Sequence, residues 1–391
     1  MQNNETLIAK TLFGLEDVLA AELQKLGARN VKKAVRSIFF EGDKGFMYKA
    51  NLCLRTALRI LKPIQTLTAK NEQELYKAIY RMPWHNYMTP DDTFAVDAVL
   101  SSGIFTHSRY VALRVKDAIA DTFRNSHGRR PGVNVREPGV QVHIHIQDNR
   151  VTVALDSSGP SLHRRGYRSA TNIAPINEVL AAGMLLLSGW DGQCDFLDPM
   201  CGSGTILTEA AMIACNIPPN LHRETFAFTK WNDFDAGLFD TIVKSSLGKT
   251  REFPHHLYGY DKAPSAVRKA GDNVKNAGLE DYIHIQQCNF FTGEKPVSGR
   301  LHLLFNPPYG ERLEIDPRQF YKQIGDTLKQ RYPQTEAWFI TANLEALKHV
   351  GLRPDRKIKL FNGKLESRLV QYRIYEGSKK AKYKSGEQGD I

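Results

Sequence analysis

The sequence predicts an α/β protein in which a mostly parallel, doubly wound sheet follows a smaller α+β region. Beyond residue 160, short apolar strands alternate with amphipathic helices, as where residues 301–305 precede a helical stretch at 318–331. Such alternation is typical of a parallel sheet that helices cover on both faces. Before residue 156, strands and helices are mixed and end in a hairpin, with alternating apolar residues at 140–146 and 151–155.

The amino-terminal region contains two successive α+β patterns. The first predicts strands at 6–11 and 35–40, and helices at 14–26 and about 49–61. The second predicts helices at 72–81 and 106–125, with a strand at 93–99 between them. His143 and His145 fall on the polar face of the hairpin that follows, where we expect them to be solvated.

Turn-rich segments divide the chain into predicted domains. The run 156–161, with three serines, a glycine and a proline, marks the main boundary. The residues after 376 are rich in Lys, Gly and Ser, which is typical of a disordered basic tail. We therefore expect α+β units at 1–65 and 66–156, a catalytic domain at 160–376 and a tail at 377–391.

Composition restricts the class of protein and suggests a partner. The net charge of +11 over 391 residues fits either simple solubility or a polyanionic partner, most often nucleic acid. The five cysteines are scattered and never spaced as C-x-x-C, which argues against disulfides and a zinc site. No apolar run approaches the roughly 20 residues that span a bilayer. We therefore expect a cytoplasmic, soluble protein without a metal.

The segment 198–205 predicts a cofactor loop at the end of a strand. Gly202 and Gly204 allow a sharp turn close to a ligand. A dinucleotide site would prefer a third glycine where Leu207 stands. Asp198 would repel a diphosphate but attract an ammonium or sulfonium group, which favours S-adenosylmethionine. A purely structural glycine turn is the alternative.

Two later strand ends could complete this cofactor site. Asp261 ends the next strand, where an acidic residue commonly binds ribose hydroxyls. It lies roughly three times farther from the glycine loop than the usual distance of about 20 residues, so an insertion must intervene. Asn289 ends the following strand and either faces an adenine or is a polar strand terminus.

The tetrapeptide Asn306-Pro307-Pro308-Tyr309 predicts a methyl-acceptor site. It follows a buried apolar strand, and its two prolines end that strand in a rigid loop. The Asn306 side-chain oxygen and the Pro307 carbonyl can accept hydrogen bonds from an exocyclic amine. Tyr309 can stack on the base that carries this amine.

Two basic stretches, at 124–136 and 163–168, predict contact with a nucleic-acid backbone. Their glycines, prolines and tyrosine suit phosphate contact and stacking, whereas a solvated basic linker is the alternative. The candidate RNA-binding residues are Arg124, Arg129, Arg130, Arg136, Arg164, Arg165 and Arg168.

The segments 198–205 and 306–310 together resemble those of class I S-adenosylmethionine-dependent amino-methyltransferases. With 163–168, 174–176 and 180–182, the chain is similar to bacterial THUMP-domain RNA guanine-N2 methyltransferases of the RlmL or YpsC type, which act on large-subunit ribosomal RNA. The resemblance implies a ferredoxin-like unit and a THUMP RNA-binding domain before a Rossmann-like catalytic domain. It also implies a cofactor site formed by Asp198, Pro199, Cys201, Gly202, Gly204, Asp261 and Asn289.

The expected activity is transfer of a methyl group from S-adenosylmethionine to the N2 amine of a guanine in 23S ribosomal RNA. Two alternatives stay open because the tetrapeptide serves several amines: a transfer RNA guanine-N2 enzyme and a DNA adenine-N6 enzyme. An alternative of a different class is a non-catalytic RNA-binding or ribosome-assembly factor with a vestigial cofactor fold.

Overall fold

The computed structural model describes residues 4–169, 175–308 and 316–375. These residues divide into two compact units. Among the described residues, the first unit contains 4–11, 19–164 and 223–248, and the second contains 12–18, 165–169, 175–222, 249–308 and 316–375. The predicted tail at 377–391 lies outside the described residues.

The first unit is built on one mixed sheet of eight described strands, in the order β2-β3-β1-β4-β8-β7-β5-β6. Helices pack on this sheet around an apolar core that includes Leu19, Ile60, Trp84 and Ile119. The elements are β1 (Glu5–Lys10), α1 (Glu16–Leu26), β2 (Arg29–Ala34), β3 (Ser37–Gly42), α2 (Lys44–Cys53), β4 (Arg59–Thr68), α3 (Glu72–Tyr80), β5 (Thr93–Ser101), α4 (Ser108–His127), β6 (Gly132–Val133), β7 (Val140–Gln147) and β8 (Arg150–Asp156).

The helix expected at 49–61 is wrong in both its start and its end. Asp43 accepts a hydrogen bond from the Phe46 N–H at 2.7 Å, so this side chain caps α2 and the helix begins at Lys44. The helix ends at Cys53, and β4 begins at Arg59. Ile60 and Leu61 then bury their side chains in a strand that pairs with both β1 and β8. β4 also runs through the expected division at 65/66, so the two expected α+β units share one sheet.

Part of the segment expected in the catalytic domain belongs to the first unit. Residues 223–248 contain a short 3-10 helix, Ala227–Lys230, and α7 (Ala236–Leu247). The Tyr48 ring stacks on Phe228 with ring centroids 4.4 Å apart, and it meets Phe234 edge-on. Its hydroxyl accepts a hydrogen bond from the Asp235 N–H at 3.1 Å. Because this aromatic cluster holds residues 223–248 on the first unit, they interrupt the catalytic domain expected at 160–376.

The second unit is the doubly wound sheet that the sequence predicts. Its described strands lie in the order β11-β10-β9-β12-β13-β15-β14. The first five are parallel, β15 is antiparallel to β13, and β14 is antiparallel to β15. The elements are α5 (Glu178–Leu187), β9 (Asp195–Asp198), α6 (Thr205–Ala214), β10 (Leu257–Asp261), α8 (Pro264–Asn276), β11 (Ile283–Gln287), β12 (Leu301–Phe305), α9 (Pro317–Arg331), β13 (Thr335–Thr341), β14 (Arg356–Asn362) and β15 (Leu365–Ile374).

The strand order of this second sheet determines where a ligand can bind. From β9 the chain passes to β10 and β11 on one side, whereas β12 and β13 lie on the other. Ligands of such sheets bind at the carboxyl ends of the strands where the order reverses. That point is the gap between β9 and β12.

In the part of the chain that the structure describes, no helix is both long and apolar enough to cross a membrane.

Candidate active site

Four of the predicted site residues lie at the carboxyl ends of four adjacent strands. Asp198 is the last residue of β9, Asp261 is the last of β10, and Asn306 follows β12 directly. Asn289 lies two residues beyond the end of β11. Parallel strands point their carboxyl ends at one edge of a sheet, so these side chains are brought to the same edge.

The glycine loop between β9 and α6 adopts the conformation that its sequence predicts. Gly202 and Gly204 have φ angles of 57° and 78°, in the left-handed region that favours glycine. A Cβ atom on Gly204 would lie 3.2 Å from the Cβ of Ala270, which is tighter than ordinary packing. The loop thus needs glycine at this position both for its backbone angle and for its close approach to α8.

Asp198 is a buried carboxylic acid with only 1% of its surface exposed. One of its oxygens accepts a hydrogen bond from the Met200 N–H at 3.1 Å. Burial, together with the charge of Asp261, raises the pKa of Asp198 well above its ordinary value. In the described residues, no Lys, Arg or His forms an ion pair with it. A cationic ligand group would supply the opposite charge that this carboxylate lacks.

Asp261 connects the end of β10 to the glycine loop. One carboxylate oxygen accepts a hydrogen bond from the Gly202 N–H at 3.0 Å, and the other accepts one from the Ala263 N–H at 2.9 Å. Cys201, the neighbour of Gly202, donates its N–H to the Tyr260 carbonyl at 2.9 Å. The sequence predicts ribose binding for Asp261, and the structure adds this loop-holding role, which the sequence alone did not reveal.

Asn306 carries a buried oxygen that lacks a hydrogen bond. Its side-chain Oδ1 is inaccessible to solvent and has no hydrogen-bond partner among the described residues. The preceding strand, β12, is buried along its whole length, and Pro307 is buried as well. An unpaired buried acceptor costs about 1–3 kcal/mol, so its presence points to a ligand that donates to it. Tyr309, expected to stack on the base, lies outside the described residues.

The remaining predicted cofactor residues have more modest surroundings. Pro199 and Cys201 are buried within the loop, and burial raises the pKa of the Cys201 thiol well above its ordinary value. Asn289 is exposed, and its side-chain oxygen accepts a hydrogen bond from the Phe291 N–H at 3.1 Å. Such a contact is typical of a polar strand terminus, which is the alternative that the sequence leaves open for Asn289. It involves the side-chain oxygen and not the amide nitrogen.

Arg165 corrects the predicted RNA-binding set, and the neighbouring Arg168 is partly buried. Arg165 forms an ion pair with Glu209, Nε to Oε1 at 3.1 Å, in which both side chains are 0% exposed. Arg168 pairs with Glu178 at 3.1 Å and donates to the Thr205 hydroxyl at 2.6 Å. Buried carboxylates require such partners. The fully buried Arg165 therefore has no surface for the predicted contact with RNA. The Arg168 side chain is 15% exposed, and its contact with RNA stays a prediction.

The sequence contains a signal for this pairing. Glu209 is the only ionisable residue in the otherwise apolar helix α6, Thr205–Ala214. A charged residue on a helix that is buried all round calls for an opposite charge nearby. Asn273 was also missed. Its amide donates to the Ser203 carbonyl at 3.0 Å and so supports the glycine loop from α8.

The other five predicted RNA-binding arginines are exposed in the first unit. Arg124 pairs with Asp121, and Arg129 binds Asp91 through two hydrogen bonds of 2.6 and 2.9 Å. Arg130, Arg136 and Arg164 form no ion pair with any described residue.

Within the described ranges, no cluster of three or more His, Cys, Asp or Glu side chains could hold a metal ion.

Comparison with known proteins places this geometry in a family. A model described as the RMKL-like methyltransferase domain matches residues 165–371, a THUMP domain matches 69–156, and an RlmL ferredoxin-like domain matches 6–61. A Synechocystis protein named as an RNA methyltransferase is 36% identical, over 93% of this chain and 95% of its own.

A longer relative and a solved structure agree with these matches. The ribosomal RNA large subunit methyltransferase K/L of Syntrophotalea carbinolica is 38% identical over 93% of this chain, which spans only 53% of that protein. The crystal structure of SMU.472, described as a methyltransferase complexed with SAH, has a TM-score of 0.85 at 29% identity, covering 97% of this chain and 100% of that one. The chain belongs to the RMKL-like methyltransferase family, with THUMP and RlmL ferredoxin-like domains before the methyltransferase domain.

Proposed function

We propose that this chain transfers a methyl group from S-adenosylmethionine to the N2 amine of a guanine in 23S ribosomal RNA. The observation that carries the proposal is the buried, unpaired Oδ1 of Asn306, which follows β12. Asp198 ends the neighbouring strand β9 as a buried carboxylic acid. One edge of the sheet thus presents Asn306, which can accept a hydrogen bond from an amine N–H, beside Asp198, which can bind the cationic group of a methyl donor.

The residues present fit S-adenosylmethionine. Asp198 suits its ammonium group, the turn at Gly202 and Gly204 suits close approach of its methionine part, and Asp261 suits its ribose. Asn289 would contribute near the adenine through its amide nitrogen, because its oxygen is engaged with Phe291. When bound, this cofactor supplies an electrophilic methyl group on a sulfonium.

The protein's part in the reaction is to prepare and orient the amine. An exocyclic amine is a weak nucleophile because its lone pair is delocalised into the base. Hydrogen bonds from the amine to Asn306 Oδ1 and the Pro307 carbonyl would draw electron density back to the nitrogen and fix its direction. A strong base before attack is unnecessary, since the proton leaves an amine that has become cationic.

The substrate is proposed from the relatives and from the amino-terminal domains. The Syntrophotalea carbinolica relative is named for the large ribosomal subunit, although this chain spans about half of it. The match to a THUMP domain at residues 69–156 supports RNA over DNA. A ribosomal substrate would place the reaction in the cytoplasm, as the sequence predicts.

Incubation with methyl-labelled cofactor and separate pools of deproteinised 23S ribosomal RNA, transfer RNA and genomic DNA tests the proposal. We expect label in ribosomal RNA, recovered as N2-methylguanosine by mass spectrometry of the nucleosides. Label only in transfer RNA, or as N6-methyladenine in DNA, would replace the proposed substrate. Absence of label in every pool, despite measurable binding of cofactor, would overturn the enzymatic proposal.

A further inference from the structure

The first unit contains a cationic cavity whose lining includes none of the catalytic motifs. Its volume is about 270 Å³, and its walls come from four separate parts of the chain. They are Arg59 on β4, the loop before β7, the segment 159–164 and the residues 225–230. The lining includes Arg59, Arg136, His163, Arg164 and Lys230, but no Asp or Glu.

Three of these cations have no counter-charge. Arg136, Arg164 and Lys230 are exposed, and no acidic side chain in the described ranges forms an ion pair with them. Arg59 differs because it pairs with the buried Asp156 and donates to the Gly159 carbonyl at 2.9 Å. Arg59 therefore shapes the wall, whereas the other three leave an uncompensated positive charge at the cavity.

The wall formed by residues 158–164 is held in a defined shape. Arg223 donates hydrogen bonds to the carbonyls of Pro160 and Arg164 at 2.7 and 2.6 Å, and to those of Ser158 and Ser161 at 3.2 Å. The guanidinium also lies over the Phe226 ring, 5.2 Å from its centroid. Because these hydrogen bonds hold the carbonyls of the segment in place, the backbone that carries Arg164 is pre-organised.

We propose that this cavity binds the phosphodiester backbone of a single-stranded segment of the RNA substrate. Three uncompensated cations without a carboxylate select a polyanion. The volume is below the roughly 300–1,000 Å³ of drug-sized ligand sites, so it admits a phosphate with its sugar. Phe226 is buried, with 4% of its surface exposed, so it offers little stacking surface for a base. The cavity thus positions RNA without reading its sequence.

This inference rests on the proposed function for the identity of the polyanion, and it assigns a shared role to two predicted residues. Arg136 and Arg164 belong to basic stretches that are separate in the sequence, and the fold brings both to one cavity. Lys230 and Arg59 were not predicted. They join the site because the insertion and β4 belong to the same unit.

Binding of a fluorescent single-stranded ribo-oligonucleotide over a series of salt concentrations tests the inference. The test variant combines Arg136→Ala, Arg164→Ala and Lys230→Ala. The matched control combines Lys25→Ala, Arg29→Ala and Lys32→Ala, which removes three exposed cations from the same unit away from the cavity. Transfer of methyl to ribosomal RNA and calorimetric binding of S-adenosylmethionine are measured on each protein.

We expect the test variant to raise the dissociation constant for the oligonucleotide about tenfold and to reduce the salt slope by about 2, since each lost phosphate contact on a single strand removes about 0.7. The control should keep the parent slope, and all three proteins should bind S-adenosylmethionine equally. Equal slopes for test and control, or no binding of the oligonucleotide by the parent, would overturn the cavity inference even if methyl transfer succeeds. Oligonucleotide binding that depends on the three residues, without methyl transfer to any RNA, would uphold the cavity and sink the proposed function.

Discussion

The carboxylate of Asp261 accepts a hydrogen bond from the backbone N–H of Gly202 at 3.0 Å. This bond joins the end of β10 to the glycine loop that follows β9, two parts of the chain 59 residues apart. It means that the residue expected at the cofactor ribose also fixes the loop expected at the methionine part. The two halves of the cofactor site are therefore structurally dependent on each other.

Replacement of Asp261 should weaken cofactor binding through both roles. We expect Asp261→Ala to reduce the affinity for S-adenosylmethionine by about 1–3 kcal/mol, the cost of leaving polar groups unpaired. Faster hydrogen exchange at the Gly202 amide should accompany it. Calorimetric titration measures the affinity, and an unchanged dissociation constant would remove Asp261 from the site.

The raised pKa of Asp198 predicts that cofactor binding depends on pH. The cationic end of the cofactor requires the ionised carboxylate, whereas burial and Asp261 favour the protonated acid in the free protein. Binding should therefore release a proton wherever the free protein holds one on Asp198, and the affinity should fall as the pH is lowered through this raised pKa. Titration in buffers of different ionisation enthalpy measures this proton. Asp198→Asn should bind weakly and without proton release, and proton release equal to that of the parent would contradict the assignment.

The Arg165–Glu209 pair predicts a large asymmetry between single and double replacements. Arg165→Met leaves a buried carboxylate without its partner, so we expect the free energy of unfolding to fall by about 3–5 kcal/mol. Arg165→Met with Glu209→Leu should recover much of that loss. Lys348→Met, at a pair with side chains 68% and 84% exposed, serves as the control and should change stability by less than about 1 kcal/mol. Chemical denaturation measures all three, and equal effects at the two pairs would argue against this role for Arg165.

His302 predicts how acid affects stability. It is buried in β12 beside Ser188, with its Nε2 2.9 Å from the Ser188 hydroxyl, and burial lowers its pKa to about 3. Below its ordinary value of about 6.5, the unfolded chain binds a proton that the folded chain refuses, so stability is lost as the pH falls from about 6.5 toward 3. The loss should reach up to about 1.4 kcal/mol per pH unit.

The comparison of the parent with His302→Phe isolates this effect. Glu178 opposes it, because burial raises its pKa to about 7 and its contribution is lost as the pH rises through that value. Glu178 is present in both proteins, so its contribution cancels in the difference between them. Denaturation at several pH values should give a shallower acid dependence in the variant. Parallel curves would show that His302 is not the responsible group.

The position of the motifs at one edge of the sheet could be predicted from the sequence because the information for it is local. Asp198 and Asp261 each end a strand, Asn306 follows one, and the parallel order of such strands brings their ends together. The glycine angles at Gly202 and Gly204 are likewise dictated by the residues themselves.

The errors concern residues whose partners are distant in the sequence. His143 was expected in solvent, yet it is buried and lies 2.7 Å from Asp97, which is on the neighbouring strand β5. Arg165 finds Glu209 44 residues away, and Tyr48 finds an aromatic cluster in an insertion that begins after residue 222. Periodicity and composition do not specify such pairings, because many residues of suitable charge or shape in the chain would fit the same sequence pattern.

The central claim is that Asn306 Oδ1 accepts a hydrogen bond from the amine that is methylated. Single-turnover methyl transfer with Asn306→Ala tests it most directly. The cofactor affinity of the variant is measured alongside it, and Asn86→Ala, an exposed asparagine in the first unit, is the control. We expect transfer to ribosomal RNA to slow by about 10²–10³, as for loss of one preorganised hydrogen-bonding group, with cofactor affinity unchanged. Transfer at the parent rate by Asn306→Ala would contradict the account.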